Sequence, residues 1–300
     1  MKTRHFLTLA DLSGDELKQL VNRAIELKRI LKAGETYEPL RGKTLAILFD
    51  KSSTRTRVSF EVAMNQFGGS AIFLSSGSTQ LGRGEPVEDT ARVMCRMVDA
   101  VVIRTYSHTM VETFAAHSDV PVINGLTDRF HPCQLLADIQ TFQERLGPIA
   151  GRRVAWVGDG NNVCHSWINA ARLCEFHLRV ATPVDYRPDA DVVRAAQHFV
   201  TLTDDPVAAV SGADTVVTDT WASMGQEDET DRRRQSFAGY RVDTELMQHA
   251  NADALFMHCL PAYREHEVTA EVLESAQSVV WDQAENRLHA QKALLEFLLR

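Results

Sequence analysis

The run Thr44-Leu45-Ala46-Ile47-Leu48-Phe49 is followed by the polar stretch Asp50-Lys51-Ser52-Ser53-Thr54-Arg55-Thr56-Arg57, an amphipathic segment over 60–67, the pair Gly68-Gly69 and a second apolar run over 71–74. An apolar run, a polar turn, a helical period and another apolar run are the pattern of a strand–helix–strand crossover between parallel strands. Phe60, Ala63, Met64 and Phe67 recur at three- and four-residue spacing and share one helix face, and Gly68-Gly69 supplies a stop at its C-terminus.

Working outward, further strands are expected at 100–104 and 120–124. His131-Pro132-Cys133-Gln134 then places proline in the first turn of a helix that runs to Glu144 and ends at Gly147. This helix is expected to bridge two domains. A second alternating series follows, with strands at 154–157, 178–182, 215–218, 254–257 and 279–281, a helix at 163–174, and a final helix over 285–299. The expected fold is α/β, with two doubly wound parallel-sheet domains and the active site in the cleft between them. The first domain is expected over 1–133, completed by the C-terminal helix 285–300, and the second over 134–284. The polar stretch 226–235, with its acids and consecutive arginines, is expected to be a solvated or mobile loop.

Composition narrows the function. The chain has 300 residues, 44% of them hydrophobic, enough for two cores. Its formal net charge of −8 argues against a nucleic-acid binder or an anionic-membrane binder, because either needs an extended basic surface. An anion site must therefore be local. The start, Met1-Lys2-Thr3-Arg4-His5-Phe6-Leu7, has no apolar signal core, and no stretch approaches the roughly 18 to 20 apolar residues of a membrane span, so a cytoplasmic protein is expected. The cysteines Cys95, Cys133, Cys164, Cys174 and Cys259 form no Cys-x-x-Cys pair and are odd in number. Neither a zinc site nor a disulfide framework is expected, and most of these thiols should be small buried hydrophobes.

Local anion chemistry is concentrated in Lys51-Ser52-Ser53-Thr54-Arg55-Thr56-Arg57. The segment lies between a strand and a helix, where unpaired backbone N–H groups and the helix dipole favour an anion, and arginine can grip two phosphate oxygens at once. Serine and threonine caps beside exposed arginines would be the plainer account of any one of these residues.

Ser52-Ser53-Thr54-Arg55-Thr56-Arg57 resembles the carbamoyl-phosphate signature of the aspartate/ornithine carbamoyltransferase family. His131-Pro132-Cys133-Gln134 resembles its His-Pro-x-Gln, and Arg104 ends a strand where the family has its carbonyl-polarising arginine. The resemblance implies that Ser53, Thr54, Arg55 and Thr56 hold the phosphate while Arg104, His131 and Gln134 surround the carbamoyl group. Gln80 stands where a neighbouring subunit's glutamine contacts carbamoyl phosphate, which implies a homotrimer with shared sites. One departure is Gly84, where many members carry lysine.

Asp219-Thr220-Trp221-Ala222-Ser223-Met224-Gly225 and His258-Cys259-Leu260-Pro261 resemble two motifs of the ornithine-specific members. By that resemblance Asp219 and Ser223 receive an α-ammonium, Met224 contributes backbone, Asn162 meets the ornithine carboxylate, and Cys259 with the Leu260 carbonyl meets the δ-amine. Arg287 falls where the family places another active-site arginine, with a structural tie between the last helix and the sheet as the lesser alternative. The implied reaction is transfer of a carbamoyl group from carbamoyl phosphate to the δ-amine of L-ornithine, with Arg104, His131, Cys259 and Arg287 as catalytic candidates. It implies no cofactor, no metal and no nucleic-acid partner.

Three rival readings stand beside it. Gly158-Asp159-Gly160-Asn161-Asn162 follows a strand and opens a helix, as a dinucleotide fingerprint does. However, Val163 occupies the third glycine position, and Asp185 comes too late for the ribose acid. An acceptor acylated on its α-nitrogen would change few contacts, yet it would leave Asp219 with no charge to pair. A silent phosphate-binding regulator with the same fold is disfavoured by the intact Arg104, His131 and Cys259.

Overall fold

The architecture was described from a computed structural model, which describes residues 3–75, 77, 79–222 and 230–300. Two compact units emerge, residues 1–140 with 285–300, and residues 141–284.

In the first unit α1 (Gly14–Lys32) precedes β1 (Thr44–Phe49), α2 (Thr54–Gln66), β2 (Ser70–Ser75), α3 (Val87–Met94), β3 (Ala100–Arg104), α4 (His108–Ala116) and β4 (Val122–Leu126). The strands are parallel in the order β2-β1-β3-β4. Leu45 through Phe49 and Ala100 through Ile103 are buried without a break, as strands covered on both faces must be. Phe60, Ala63, Met64 and Phe67 are fully buried, so the face read from their spacing is the packed one. At about 1.5–3 kcal/mol for each large apolar side chain, that face anchors α2 to the sheet. Because β2 lies on one side of β1 and β3 on the other, the chain leaves β1 and β3 in opposite directions. A crevice opens at their carboxyl ends, the place where open α/β sheets bind ligands.

Helix α5 (Pro132–Leu146) carries the chain into the second unit. There follow β5 (Arg153–Val157), α6 (Asn162–Cys174), β6 (His177–Ala181), α7 (Ala190–Ala195), β7 (Val200–Thr203), α8 (Pro206–Val210), β8 (Thr215–Thr218), α9 (Thr230–Ser236), α10 (Thr244–Met247), β9 (Leu255–His258) and α11 (Ala270–Leu273). The parallel order is β7-β6-β5-β8-β9, which puts a second reversal between β5 and β8. Helix α12 (Val280–Leu299) returns the chain to the first unit.

Two differences from the sequence reading concern strands. The expected strand at 279–281 is not one. Phe256 makes only an isolated bridge with Ser278, through Phe256 N–H to the Gln277 carbonyl at 2.8 Å and Val279 N–H to the Phe256 carbonyl at 3.0 Å, and Val280 already opens α12. Val279 alone supplies its N–H to that one rung of sheet before the helix takes over. Strand β7 was not anticipated. It is a four-residue edge strand, half exposed, and its short Val-Thr-Leu-Thr alternation lacks the apolar density of the central strands.

Candidate active site

The first group of residues gathers at the β1/β3 reversal. Ser53 caps α2, its hydroxyl accepting from Thr56 N–H at 3.2 Å, so the N–H groups and dipole of α2 face the mouth of the crevice. Phe49 pairs with Arg104 across the two strands, which sets the Arg104 side chain, itself buried, beside the loop that leaves β1. Thr54 is exposed and Arg55 half-buried, while Thr56 is fully buried.

From α5 come His131 and Gln134, both buried. Arg287 of α12 donates to Gln134 Oε1 at 2.7 Å and to Thr56 Oγ1 at 3.1 Å, and Gln134 Nε2 donates to Asp138 Oδ1 at 2.8 Å. Arg287 thus orients the glutamine amide and the last threonine of the phosphate segment together. It ties α12 to α5 and α2 and lies within the candidate site at once. Burial pushes the His131 pKa well below the usual imidazole value, and the positive charges of Arg287, Arg104, Arg55 and Lys51 push it further down. A neutral imidazole therefore stands amid cations at neutral pH. The cluster is matched to an anion of more than one charge.

Lys51 is the residue that sequence reading left without a role. It is buried to 5% exposure, with Nζ 4.6 Å from the Tyr106 ring centroid and 3.3 Å from Asp128 Oδ1. Its place in the anion segment was the available signal. Gln80 is exposed at the head of a single 3-10 turn at 81–83. The turn closes on Gly84 at φ +93°, a left-handed conformation that glycine adopts without strain, so the departure at this position has a backbone reason.

The second group gathers at the β5/β8 reversal. Asn161 caps α6, its Oδ1 accepting from Val163 N–H at 3.0 Å and Cys164 N–H at 3.1 Å, and its Nδ2 donates to Asp219 Oδ2 at 2.8 Å. Asn162 is the first helical residue and is buried. Cys259 Sγ donates to the other oxygen, Asp219 Oδ1, at 3.1 Å. Asp219, Asn162 and Cys259 are thus brought to one sheet edge, with Leu260 next in the chain. Ser223 and Met224 lie outside the described residues.

Donor atoms of Asp219, His258 and Cys259 lie within 4.8 Å of one another, a spacing that could suit a cation. Each is already engaged. His258 Nδ1 accepts from Leu260 N–H at 2.9 Å, its Nε2 meets Glu267 Oε1 at 3.1 Å, and the thiol donates to Asp219. The arrangement orders a turn.

Two further residues escaped the sequence reading. Asn161, adjacent to the chosen Asn162, is the one that orients Asp219; its N-cap position was the available signal. Arg233 belongs to the stretch expected to be a solvated or mobile loop, and this expectation is corrected over 230–235, since α9 forms there and Arg233 is buried. Residues 226–229 lie outside the described residues. Arg233 Nη1 donates to Asp159 Oδ2 at 2.9 Å and to the Trp221 carbonyl at 2.8 Å, and the guanidinium sits 4.9 Å from the Tyr186 ring centroid. Burial raises the Asp159 pKa to about 6 against the pull of Arg233, with the Asp219 charge adding to the rise. A charge run at this spacing gives no sign of which arginine turns inward.

The dinucleotide alternative meets a steric objection here. Gly160 N–H donates to the Tyr186 carbonyl at 2.9 Å, and a Cβ on Gly160 would stand 2.3 Å from Pro188 N. The backbone of 186–188 occupies the approach that a pyrophosphate would need.

Among the described residues no helix is long and apolar enough to cross a membrane. Residues 4–144 match the family described as "Aspartate/ornithine carbamoyltransferase, carbamoyl-P binding domain", and residues 150–298 match "Aspartate/ornithine carbamoyltransferase, Asp/Orn binding domain". Proteins named ornithine carbamoyltransferase from Methylococcus capsulatus and Hydrogenovibrio crunogenus are 63% and 60% identical to the chain, each over 100% of it and 99% of the relative. Crystal structures of ornithine carbamoyltransferase from Burkholderia thailandensis (53% identity, TM-score 0.92, 99% of this chain and 98% of that one) and of the enzyme from Pyrococcus furiosus (49%, 0.95, 99% and 97%) share the fold. With both units matched in order and the two groups of side chains at the two sheet reversals, the chain belongs to the aspartate/ornithine carbamoyltransferase family.

Proposed function

We propose that the protein transfers the carbamoyl group of carbamoyl phosphate to the δ-amine of L-ornithine, giving L-citrulline and phosphate, as a step of arginine and citrulline metabolism. The observation that carries the choice of acceptor is the Asn161–Asp219–Cys259 chain of hydrogen bonds, which sets a carboxylate to receive an ammonium with a thiol beside it.

In this reading Ser53, Thr54, Arg55 and Thr56 hold the phosphate, and Arg104, His131 and Gln134 surround the carbamoyl group. Attack at the carbonyl carbon builds negative charge on its oxygen. Buried donors fixed in advance at that position lower the barrier by several kcal/mol, as in any oxyanion hole. Arg104 and neutral His131 are these donors. Arg287 steadies Gln134 and Thr56, and phosphate leaves as an anion already neutralised by Arg55 and the α2 terminus, so no covalent enzyme intermediate is needed.

On the acceptor side Asp219 and Ser223 receive the α-ammonium, Met224 contributes backbone, Asn162 meets the carboxylate, and Cys259 with the Leu260 carbonyl receives the δ-amine. That amine has an ordinary pKa of about 10.4, so roughly one molecule in 2,500 is neutral at pH 7, and binding selects the neutral form. The attacking amine sheds its proton as phosphate departs, which the proximity of the two makes efficient.

A cytoplasmic location and a cyclic homotrimer belong to the same reading. Val58, Ile72, Val93 and Met97 of the first unit are exposed apolar side chains, the raw material of an interface between copies, and Gln80 is exposed on its own chain.

The test is citrulline formation with ornithine, N-acetylornithine, lysine and aspartate as acceptors. Ornithine should give a kcat/KM at least about 100-fold above the others, since a buried polar site rejects a partner that leaves its groups unpaired. A preference for N-acetylornithine would overturn the role of Asp219.

A further inference from the structure

Two residues after β9 the chain makes two sharp departures from extended backbone. Leu260 lies at φ +60°, a left-handed conformation costly for a branched side chain, and Leu260-Pro261 is cis. Something must hold Leu260 there, and the holding groups are fully buried. His258 is 0% exposed and Glu267 1%. The N–H of Leu260 donates to His258 Nδ1 at 2.9 Å, so that nitrogen carries no proton and the ring proton sits on Nε2. Nε2–H donates to Glu267 Oε1 at 3.1 Å. The same oxygen accepts from Tyr263 N–H at 2.7 Å, and Gln283 Oε1 accepts from His258 N–H at 3.0 Å. Glu267 therefore clasps the loop at both ends, through the imidazole to Leu260 and directly to Tyr263.

Removing the carboxylate frees the imidazole to take its other tautomer. A proton on Nδ1 would face the Leu260 N–H as donor against donor, and the left-handed Leu260 would lose its restraint. Cys259 lies between His258 and Leu260, and its thiol position against Asp219 depends on the same backbone.

We infer that Glu267 is a positioning residue for the acceptor site: acting through His258, it fixes the tautomer that holds the Cys259-Leu260 turn, and thereby the thiol and carbonyl that meet the acceptor amine. The inference rests on the ornithine reading above for the identity of the amine. It does not rest on it for the geometry of the turn.

The test uses Glu267→Gln, Glu267→Asp and Glu267→Ala in the full chain. Glutamine keeps an oxygen able to accept from both His258 and Tyr263, and should stay within about threefold of the unsubstituted enzyme in kcat/KM for ornithine. Alanine should raise the ornithine KM and lower kcat by about tenfold or more each, because a misplacement of about 1 Å near the reacting groups costs up to 100-fold. The affinity for carbamoyl phosphate by calorimetry should stay within about twofold in all three. Aspartate draws the oxygen back by about one bond length, 1.5 Å, and should give an intermediate KM, which keeps the test open should the alanine chain not fold.

A second readout does not need activity. Peptide-resolved alkylation should find Cys259 several-fold more reactive in Glu267→Ala or Glu267→Asp, as its hydrogen bond to the Asp219 carboxylate loosens, with Cys174 unchanged as the internal control. An unaltered ornithine KM and an unaltered Cys259 rate in a folded Glu267→Ala chain would overturn the inference. So would equal loss of carbamoyl-phosphate binding, or a glutamine variant as damaged as alanine. Absence of citrulline formation by the unsubstituted chain would instead overturn the acceptor reading, and the alkylation rates would still decide whether Glu267 positions the turn.

Discussion

His131 bears a cost that can be measured without any substrate. Its imidazole is buried and surrounded by Arg287, Arg104, Arg55 and Lys51, so its pKa in the fold lies well below the ordinary value of about 6.5 that it regains on unfolding. Between those two values the unfolded chain binds a proton that the folded chain does not. The resulting stability is present above about pH 6.5 and is lost as the pH falls, at about 1.4 kcal/mol per pH unit. His289, depressed to about 4 mainly by burial, adds a similar contribution in the same window. Denaturant titrations from pH 7 to 5 should therefore show a steep acid loss, and His131→Gln should reduce its slope by about 1.4 kcal/mol per unit. An unchanged slope would mean that the imidazole is already protonated in the fold. Bound carbamoyl phosphate should flatten the same slope, because a dianion beside the ring offsets the four cations. The residues that sequence reading chose here are readable through the family resemblance of their segments: Thr54 and Thr56 in the phosphate signature, His131 and Gln134 in His-Pro-x-Gln, and Arg104 at the end of a strand. The bonds from Arg287 to Gln134 and Thr56 are not readable, since they join positions 153 and 231 residues apart.

Among elements, α9 is the one whose behaviour the chain's local pattern least foretold. Its Arg233 is held by Asp159 at the carboxyl end of β5 and by the Trp221 carbonyl, two residues beyond Asp219. The carboxylate titrates near pH 6, and once protonated it loses the charge that makes its bond to Arg233 strong. The acceptor amine already makes kcat/KM for ornithine fall tenfold per unit as the pH drops below its pKa. Protonation of Asp159 should add a second dependence below about pH 6, so the logarithmic slope should approach two there. Asp159→Asn, whose amide oxygen still accepts from Arg233, should bring the slope back to one while lowering activity at pH 7 to 8. A slope of one in the unsubstituted enzyme would show that the α9 tether does not govern acceptor binding. The core strands and α2, α5 and α6 are legible because continuous apolar runs and three- and four-residue spacing are local signals. Arg233 is not, because an arginine among arginines acquires its inward direction only from a carboxylate supplied by a strand 74 residues earlier. Strand β7 and the beginning of α12 fail for a related reason, as short edge and junction segments owe their form to the sheet they meet.

At the scale of the whole molecule, the two candidate carboxyl-edge sites follow from the two strand reversals; the crossover pattern implied that the strands are parallel, whereas their order came from the structure. What a single chain leaves exposed then points to its assembly. Val58, Ile72, Val93 and Met97 all fall between α2 and the turn after α3, and Gln80 lies in the same stretch of chain, exposed, at the head of the turn that Gly84 closes. In the proposed closed ring of three identical chains with head-to-tail contacts, that stretch would meet a neighbour's surface, and Gln80 would reach the neighbour's phosphate segment. Arg55→Ala should weaken carbamoyl phosphate by roughly 10- to 150-fold, the value of a charge-assisted contact of about 1.5–3 kcal/mol, with little change in thermal stability. Gln80→Ala should be impaired as well. When the two impaired variants are dissociated together, mixed equally, reassembled and assayed at a carbamoyl-phosphate concentration where each alone is nearly inactive, a site made of Arg55 from one chain and Gln80 from the next is intact only where the two variants meet in one order. That is one arrangement in four, so about one quarter of the sites should recover. Mixed trimers can be confirmed by native mass spectrometry. Recovery near one quarter supports shared sites, whereas confirmed mixed trimers without recovery would place Gln80 in its own chain's site or outside any site.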